Sequence, residues 1–251
     1  PQPVQGAEVV IFLKHFNKDH LLQLQACKQD NIRTIFDVCD NHFQTEHKEH
    51  YTGMARGADK VTCNTEAMRK IIRKEVNRFA TVIEDPYEFL KVDPKLPEIN
   101  GQLKLLWFGH QSNLDSLFAI QKELEGYFVE VVTNPSARKH FKGAITPWSY
   151  LNMRFAFNRN SVVIIPSLDN DRKNVKSANR MVESIRQGVF VIANPTPAHE
   201  PFKKWMWIGN IKEGLEWFKG HLDEIPQRIR DANVYIEEQF NPEKIGAKWE
   251  R

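Results

Sequence analysis

An acid–base group is the first candidate for chemistry in this sequence. Asp37, Asp40 and His42 lie at the end of a short apolar run that begins at Arg33. His42 could act as a general base, with either carboxylate setting its tautomer and raising its basicity. An aspartate after a strand also commonly caps the next helix. The residues alone leave both interpretations open.

A basic segment over residues 166–184 is the second candidate, and its chemistry would be diphosphate binding. Lys173, Lys176 and Arg180 surround the start of a helical pattern that we expect to begin at Ser177 as N-cap. Positive side chains and the partial positive charge of a helix N-terminus both attract phosphate oxygens. These residues therefore predict a phosphate site.

Two polar groups of the same helix could extend that site. Asn179 and Glu183 are four residues apart and share one helix face, with Lys176 one turn before Asn179. The three side chains would then converge on one ligand. A solvated helix face is the alternative, since it would carry similar charges.

Two polar turns could also approach a phosphate. Gly109 follows an apolar run and leads through Gln111 to Asn113, the expected N-cap of a helix. A glycine at such a turn allows a ligand to approach exposed main-chain amides. Asn134 occupies the equivalent place after the next apolar run. The first turn is not a GxGxxG motif, and many strand-to-helix turns use a single glycine.

An aromatic turn near residue 148 could hold a nucleobase. Trp148 would flank the base, while the main chain of Ile145 and Thr146 would hydrogen-bond to its edge. A tryptophan at such a position more often packs against the core or its rim.

Short apolar runs alternate with helical patterns along the chain, which predicts an α/β fold with parallel sheets flanked by helices. The predicted strands are residues 8–13, 33–38, 60–63, 103–108, 127–132, 161–165 and 189–193. The predicted helices are residues 19–28, 45–56, 65–77, 113–124, 148–157 and 177–187.

A proline-containing polar stretch over residues 85–101 breaks this alternation and is interpreted as a linker. We therefore expect an N-terminal α/β domain over residues 1–93 and a C-terminal α/β domain over residues 94–251. The first has only about three predicted strands, so we expect it to be reduced or to lack its opening strands. The sequence from Leu222 onward is expected to be helical.

Composition limits the function classes. The 251 residues carry a net charge of +3, which is too small to indicate a dedicated nucleic-acid binder. The three cysteines form no CxxC pair, which disfavours a zinc site or a disulfide framework. Apolar stretches are too short to span a bilayer, and residues 1–25 lack the pattern of a secretory signal. We expect a cytoplasmic protein.

The segment Lys176–Ser184 with Gly188–Pro195, the turn at Gly109 and the stretch around Trp148 together resemble the GT-B nucleotide-sugar glycosyltransferases, in particular bacterial members related to family 4. The resemblance implies two facing Rossmann-like domains with the active site in the cleft between them. Residues 1–93 would be the acceptor-side domain and residues 94–251 the donor nucleotide-binding domain. The terminal helix would pack back on the N-terminal domain. It implies that Glu183 binds the ribose hydroxyls of the donor nucleotide. The segment from Phe36 to Phe43 resembles the last part of that family's acceptor domain.

The sequence departs from that family at three charged positions. Many members have two glutamates seven residues apart, but Val175 stands at the partner position of Glu183. The arginine and lysine that usually follow the glycine turn are also replaced by uncharged residues. The resemblance then implies that Lys173, Lys176 and Arg180 neutralise the diphosphate.

The function implied is sugar transfer from a nucleoside-diphosphate sugar to a glycan or lipid-linked acceptor, as in polysaccharide assembly. The nucleotide sugar is a substrate, and neither a cofactor nor a metal is expected. The alternative is a non-catalytic or truncated nucleotide-binding module of the same fold. A nicotinamide dehydrogenase is disfavoured because no strand is followed by the glycine-rich fingerprint. A zinc site formed by His42, His47 and His50 is a weaker alternative.

One aromatic and basic segment suggests where such a protein could touch a membrane. Residues 202–207 combine two tryptophans and a phenylalanine with two lysines. Packing of the tryptophans inside the second domain is the preferred interpretation. The alternative is contact with a membrane interface, where lipid-linked acceptors reside, which would place this cytoplasmic protein at the inner face of the membrane.

Overall fold

The computed structural model describes residues 6–97, 99, 102–139 and 143–250, which form two compact units. The first unit contains the described residues up to Asp85, the segment Asn170–Ser177 and the residues from Ile245 onward. The second contains Pro86–Asp169 and Ala178–Lys244.

The first unit is a parallel four-stranded sheet with helices between its strands. Its elements are β1 (Val9–Leu13), α1 (Lys18–Gln29), β2 (Arg33–Val38), α2 (Lys48–Gly57), β3 (Lys60–Cys63), α3 (Glu66–Val76) and β4 (Thr81–Val82). The strand order follows the chain, from β1 to β4.

Local sequence explains the clear boundaries of α3. The Thr65 hydroxyl accepts a hydrogen bond from the amide of Met68 and so caps the first turn. Met68, Ile72 and Val76 recur at every fourth position and are buried. Asn77 adopts a left-handed conformation, with φ of +54°, and ends the helix.

The second unit is a parallel six-stranded sheet. Its elements are β5 (Lys104–Phe108), α4 (Leu114–Ala119), β6 (Phe128–Thr133), β7 (Ile145–Pro147), α5 (Tyr150–Arg159), β8 (Val162–Ile165), α6 (Asn179–Arg186), β9 (Phe190–Ala193), β10 (Trp207–Ile208), α7 (Ile211–Gly220) and α8 (Ile225–Gln239). A further helix, α9 (Pro242–Trp249), ends in the first unit. The strand order is β10-β9-β8-β5-β6-β7, which is the doubly wound Rossmann order.

Each unit has its own hydrophobic core. Phe36, Met54 and Ile72 are fully buried in the first, and Trp107 and Ile164 are fully buried in the second. The central strands β8 and β9 are buried along their whole length, which explains their uninterrupted apolar sequences.

The predicted fold class is confirmed, and each of the seven predicted strands is present with its ends shifted by at most one residue. Three short strands were not predicted, namely β4, β7 and β10. They have two or three residues each, which is too short for an alternating or apolar pattern to emerge, and β7 ends in a proline.

Several predicted helix boundaries were wrong. α6 begins at Asn179 and its N-cap is Ala178, so Ser177 is not the cap. α2 begins at Lys48, three residues after its predicted start, and α4 ends at Ala119, before its predicted end at residue 124. Asn113 directly precedes α4 as predicted, but its side chain makes no capping hydrogen bond. Periodicity does not reveal the turns that flank these helices.

The compact units differ from the predicted domains in the linker. Residues 86–93, assigned by sequence to the N-terminal domain, belong to the second unit, because they are hydrogen-bonded to α6. The amide of Val92 donates to the carbonyl of Arg186 over 2.8 Å, and the side chain of Gln187 donates to the carbonyl of Leu90 over 2.8 Å. At the other end, Lys248 of α9 pairs with Glu84 in the first unit. No described helix is long and apolar enough to cross a membrane.

Candidate functional site

The sheet of the second unit defines where a ligand would bind. β5 lies between β6 and β8, so the chain proceeds from β5 toward one edge and later returns to β5 on its other side. In open parallel sheets, ligands bind beyond the carboxyl ends of the strands at such a reversal. The residues that follow β5, β6, β8 and β9 are therefore the candidates in this unit.

The turn after β5 would let a ligand come close to the main chain at Gly109. The amide of Gly109 donates to a β6 carbonyl over 3.2 Å, which sets the direction of the turn. A Cβ at Gly109 would lie 3.6 Å from Nη1 of Arg180. The 3₁₀ turn that follows contains Asn113 and Gln111, whose side-chain oxygen accepts a hydrogen bond from Ser136 over 2.6 Å.

Arg180 is the cation that the second unit places at this edge. It lies in the first turn of α6, and its Nη1 donates to the carbonyl oxygen of Phe108 over 3.3 Å. Burial lowers the pKa of Arg180 to about 10, so the side chain remains charged at neutral pH. The helix N-terminus adds a partial positive charge. This arrangement can neutralise an anionic group next to the Gly109 turn.

His199 accompanies Arg180 and was missed by the sequence analysis. Its Nδ1 lies 2.9 Å from the carbonyl oxygen of Asn194, to which it donates. Burial lowers the pKa of His199 to about 4, and the nearby charge of Arg180 acts in the same direction. The imidazole is therefore neutral at pH 7. No local motif marks it, because its environment comes from β9 and α6 together.

Polar groups also follow β6 and β9. Asn134 comes directly after β6, and its carbonyl oxygen accepts a hydrogen bond from the amide of Ala137 over 3.0 Å. The hydroxyls of Thr133 and Thr196 are buried and have no hydrogen-bond partner among the described residues. Buried hydroxyls usually have a partner, so these two are further candidate ligand contacts that sequence reasoning missed.

Glu183 is buried, with 5% of its surface exposed, and its carboxylate is already engaged. Its two oxygens accept hydrogen bonds from the amides of Glu88 and Phe89, at 2.6 and 3.1 Å. Burial raises the pKa of Glu183, although the two amides oppose that shift. The observed contacts thus give this carboxylate a role in holding residues 88–89, in addition to the predicted contact with ribose.

Thr146 and Trp148, the two predicted nucleobase contacts near β7, have different environments. The hydroxyl of Thr146 donates to Glu130 over 2.7 Å, and Glu130 also accepts hydrogen bonds from Arg159 and Asn160. The Thr146 side chain is therefore part of an internal network. Trp148 is 61% exposed, and its amide donates to the carbonyl of Thr133 over 2.9 Å. Its indole is available to a ligand.

In the first unit, the carboxyl end of β2 carries the predicted acid–base residues. Asp37 is buried and accepts hydrogen bonds from Thr62 over 2.6 Å and from the thiol of Cys39 over 3.2 Å. Both partners are local to the sheet edge. Asp37 thus holds neighbouring side chains in place and does not contact His42 through any of its observed hydrogen bonds.

Asp40 forms an ion pair with Lys176. Burial alone would raise the pKa of Asp40, but the Lys176 ammonium outweighs it, and the pKa lies below its usual value. The hydroxyl of Tyr51 donates to the carbonyl oxygen of Asp40 and orders the loop. Lys176 and Asp40 are 136 residues apart in sequence, so only the fold reveals this pair.

His42 is placed among aromatic rings. Its ring centroid lies 4.7 Å from that of Phe16 and 5.4 Å from that of Tyr51. Burial lowers the pKa of His42 more strongly than nearby Asp40 raises it, so the ring is neutral at pH 7. Its Nδ1 is buried and has no hydrogen-bond partner among the described residues. A neutral imidazole of this kind can accept a proton.

The predicted diphosphate cations are divided between the two compact units. Lys173, Lys176 and Ser177 belong to the first unit, and Arg180 to the second. Lys173 is buried. Lys176 precedes α6 and pairs with Asp40, so it does not share the helix face of Asn179 and Glu183 that was expected of all three residues. Asn179 is the first residue of α6.

Two other sequence alternatives can be compared with the structure. Within the described ranges, no three His, Cys, Asp or Glu side chains are placed to hold a metal ion. In the segment 202–207, Phe202 and Met206 are buried, and Trp205 contacts Tyr235 at 5.4 Å between ring centroids, so these three side chains pack within the second unit. Lys203 and Lys204 are exposed.

No protein-family model and no curated protein sequence matches this chain. Several solved structures do match the chain. Sucrose-phosphate synthase from Thermosynechococcus elongatus matches with a TM-score of 0.67 and 9% identity, over 97% of this chain and 72% of that one. HepE from Anabaena in complex with UDP matches with a TM-score of 0.67 and 11% identity, over 95% and 76%.

A UDP-forming trehalose-phosphate synthase from Burkholderia xenovorans in complex with glucose-6-phosphate matches with a TM-score of 0.68 and 11% identity, over 99% of this chain and 74% of that one. These structures are GT-B glycosyltransferases. The chain therefore has the GT-B fold, as its sequence resemblance predicted, and at such low identity the likeness concerns the fold alone.

Proposed function

We propose that this protein transfers a sugar from a nucleoside-diphosphate sugar to a carbohydrate acceptor, with the donor held by the second unit. The observation that carries the proposal is the position of Arg180, charged and beside the Gly109 turn at the reversal of a Rossmann-ordered sheet. Neighbours of the same fold bind UDP or glucose-6-phosphate, which supports this substrate class.

In this proposal the second unit stabilises the leaving diphosphate. Negative charge develops on the diphosphate as the bond to the sugar breaks, and Arg180 with the N-terminus of α6 would offset it without a metal ion. Trp148 would stack on the nucleobase, and the main chain at Thr146 would contact its edge. Gln111, Asn113, Asn134 and Asn179 would supply polar contacts at the same edge of the sheet.

Glu183 and the cations of the first unit have narrower proposed roles. Glu183 would contact ribose only through lone pairs that the amides of residues 88–89 leave unused. Lys176 would act on Asp40, and Lys173 and Ser177 would shape the segment that carries Lys176. In this proposal Arg180 is the cation of the second unit that contacts the diphosphate.

The first unit would bind the acceptor. His42 is neutral and has an unpartnered ring nitrogen, so it is the proposed base if the reaction inverts the anomeric centre. Asp40 carries a negative charge and lies close enough to raise the basicity of His42. A retaining reaction would not need this base. Glycan and lipid-linked acceptors are both compatible with this scheme.

Calorimetric titration with UDP, GDP, ADP, CMP and NAD tests the donor site. We expect one nucleoside diphosphate to bind, and Arg180→Ala to weaken it by at least about tenfold, because a charge-assisted hydrogen bond contributes about 1.5–3 kcal/mol. Arg180→Lys should restore part of the affinity. Arg230→Ala, an exposed arginine of the same unit, is the matched control. Equal affinity of Arg180→Ala and the unmodified protein would refute the assignment.

Turnover is tested separately by measuring nucleoside diphosphate released from the corresponding nucleotide sugar, with and without glucose-6-phosphate. Release that depends on the acceptor supports a transferase. Binding without any release over a long incubation would instead indicate a non-catalytic nucleotide-binding module.

A further inference from the structure

Three basic side chains of the first unit lie near the loop that carries Asp40 and His42. Lys176 forms an ion pair with Asp40, and Arg172 stands four residues earlier on the same segment. Lys14 directly follows β1, the strand next to β2. Burial raises the pKa of Asp40, but Lys176 and then Lys14 bring it below its ordinary value. This end of the sheet therefore carries a group of cations.

Most of the charge that acts on His42 is positive. After burial, which lowers the pKa of His42, the groups that shift it most are one carboxylate and three basic side chains, namely Asp40, His47, Arg172 and Lys176. His47 lies 5.9 Å from His42 between ring centroids and 3.5 Å from Glu46. Asp171, beside Arg172 in sequence, is exposed and forms no ion pair in the described part of the chain. His42 thus has a single strongly acting acid, Asp40.

The cations are accessible to a ligand. Lys14 and Arg172 are exposed and form no ion pair within the described ranges. In the pair, the side chain of Lys176 is 38% exposed and that of Asp40 is 27% exposed. Because water solvates both charges of such a pair, it contributes little stability and can be exchanged for a ligand anion. Asp37, the other acid of the loop, is buried and accepts a hydrogen bond over 2.6 Å.

We infer that the first unit binds an acceptor sugar through an anionic group, a phosphate or a carboxylate, which takes Lys176 away from Asp40. The inference rests on the proposed function, since it describes the acceptor of that reaction. A phosphate monoester carries about two negative charges and three strong acceptor oxygens, so it competes well with one carboxylate. Arg172 and Lys14 add positive charge for the same anion.

Exchange of partners at Lys176 would also strengthen the proposed base. In the ligand-free protein the Lys176 ammonium is held beside Asp40 and opposes protonation of His42. Once a ligand anion holds Lys176, the released Asp40 and the anion both favour the protonated imidazole. His42 then accepts a proton more readily when the acceptor is bound.

NMR titration of the His42 ring in the full chain, without nucleotide, tests the inference. The probes are inorganic phosphate, glucose-6-phosphate and glucuronate, with glucose as the neutral comparison, all at equal ionic strength. We expect an anionic probe to raise the titration midpoint of His42 by about half a pH unit or more, since nearby negative charge favours the imidazolium. Glucose should leave it unchanged. A response to glucuronate alone would identify a carboxylate, and a response to the phosphates alone a phosphate.

Variants of Lys176 separate this role from a structural one. Lys176→Met should bind the effective anion at least about fivefold more weakly, because it loses a charge-assisted hydrogen bond, and Lys176→Arg should retain most of the affinity. The matched control is Lys28→Met, which removes a half-exposed pair with Asp59 in the same unit and should bind like the unmodified protein. Circular dichroism checks that each variant is folded.

Two results would overturn the inference: no anionic probe moves the His42 midpoint further than glucose does, or Lys176→Met binds the anion as tightly as the unmodified protein. Either result would leave the proposed function to its own test, because nucleotide binding by Arg180 is measured separately. Conversely, an anion response at Lys176 without nucleotide binding would uphold this site while the proposed donor site fails.

Discussion

Burial lowers the pKa of two neighbouring basic side chains, Arg180 and His199, with different consequences for their charge. Arg180 stays charged because even its lowered pKa, about 10, is well above neutrality. His199 has an ordinary value of 6.5, and its lowered pKa of about 4 keeps it neutral. The second unit therefore presents a single positive charge at the Gly109 turn and avoids repulsion between two cations.

Because His199 is neutral in the folded protein, we expect the stability of the second unit to fall at low pH. This loss of stability is called the acid limb below. Between pH 6.5 and about pH 4 the unfolded chain binds a proton on this histidine that the folded protein does not. Stability should therefore fall as the pH is lowered through that window, by roughly 3 kcal/mol in all for this one group. His199→Gln should remove most of this pH dependence.

Urea unfolding followed by tryptophan fluorescence at several pH values measures this effect, because Trp107, Trp148, Trp205, Trp207 and Trp217 lie in the second unit. His110→Gln, at an exposed position of the same unit, is the control and should keep the acid limb. An unchanged acid limb in His199→Gln would show that other groups cause the loss of stability.

At the scale of elements, the C-terminal half of α6 orders the stretch that the sequence identified as a linker. Glu183, Arg186 and Gln187 bind the main chain of residues 88–92. Prolines and weak periodicity made this stretch look like a connection, but its amides and carbonyls have specific partners. A carboxylate buried on α6 is stable because those amides solvate it.

Gly188, between α6 and β9, provides a test of this packing. Its φ is +73°, and a Cβ there would lie 3.1 Å from Cα of Pro94 and 3.2 Å from the carbonyl oxygen of Val92. Gly188→Ala should destabilise the second unit by about 2 kcal/mol or more, since the left-handed conformation alone costs about 1–2 kcal/mol. The midpoint of urea unfolding measures the loss.

Gly220→Ala is the matched control, because a Cβ at the end of α7 meets no atom within 4 Å. We expect its stability to change by no more than about 0.5 kcal/mol. If the two variants were equally stable, residues 92–94 would have to move away from Gly188 at little cost, and the observed packing would not be essential.

At the scale of the whole molecule, the two separate cores predict two regions of local stability. Ile72 lies in the first core and Ile164 in the second, and both are fully buried. Replacing either by valine should cost about 0.5–1.5 kcal/mol within its own unit. Because stability is distributed in cooperative units, the loss should remain largely local.

Amide hydrogen exchange with mass spectrometry measures this directly. Ile72→Val should speed exchange in β2 and β3 by about two- to twelvefold and leave β8 and β9 nearly unchanged. Ile164→Val should do the reverse, so each variant is the control for the other. Equal acceleration in both sheets by either variant would mean that the two cores unfold as one.

Local sequence patterns were sufficient to predict the fold class and most of the elements. Strands such as β8 and β9 are continuous apolar runs, and helices such as α3 combine an N-cap with buried residues of helical period. These signals are local, because burial on both faces of a sheet and capping of a helix act on neighbouring residues. The sequence also identified Asp40, His42 and Arg180 as candidate site residues.

Which of those residues come into contact depends on how distant parts of the chain are brought together. The placement of β5 between β6 and β8, the pair formed by Lys176 and Asp40, and the amides that hold Glu183 all join distant parts of the chain. His199 became a candidate for the same reason. Contacts of this kind depend on strand order and on burial by other elements, and no local periodicity encodes either of them.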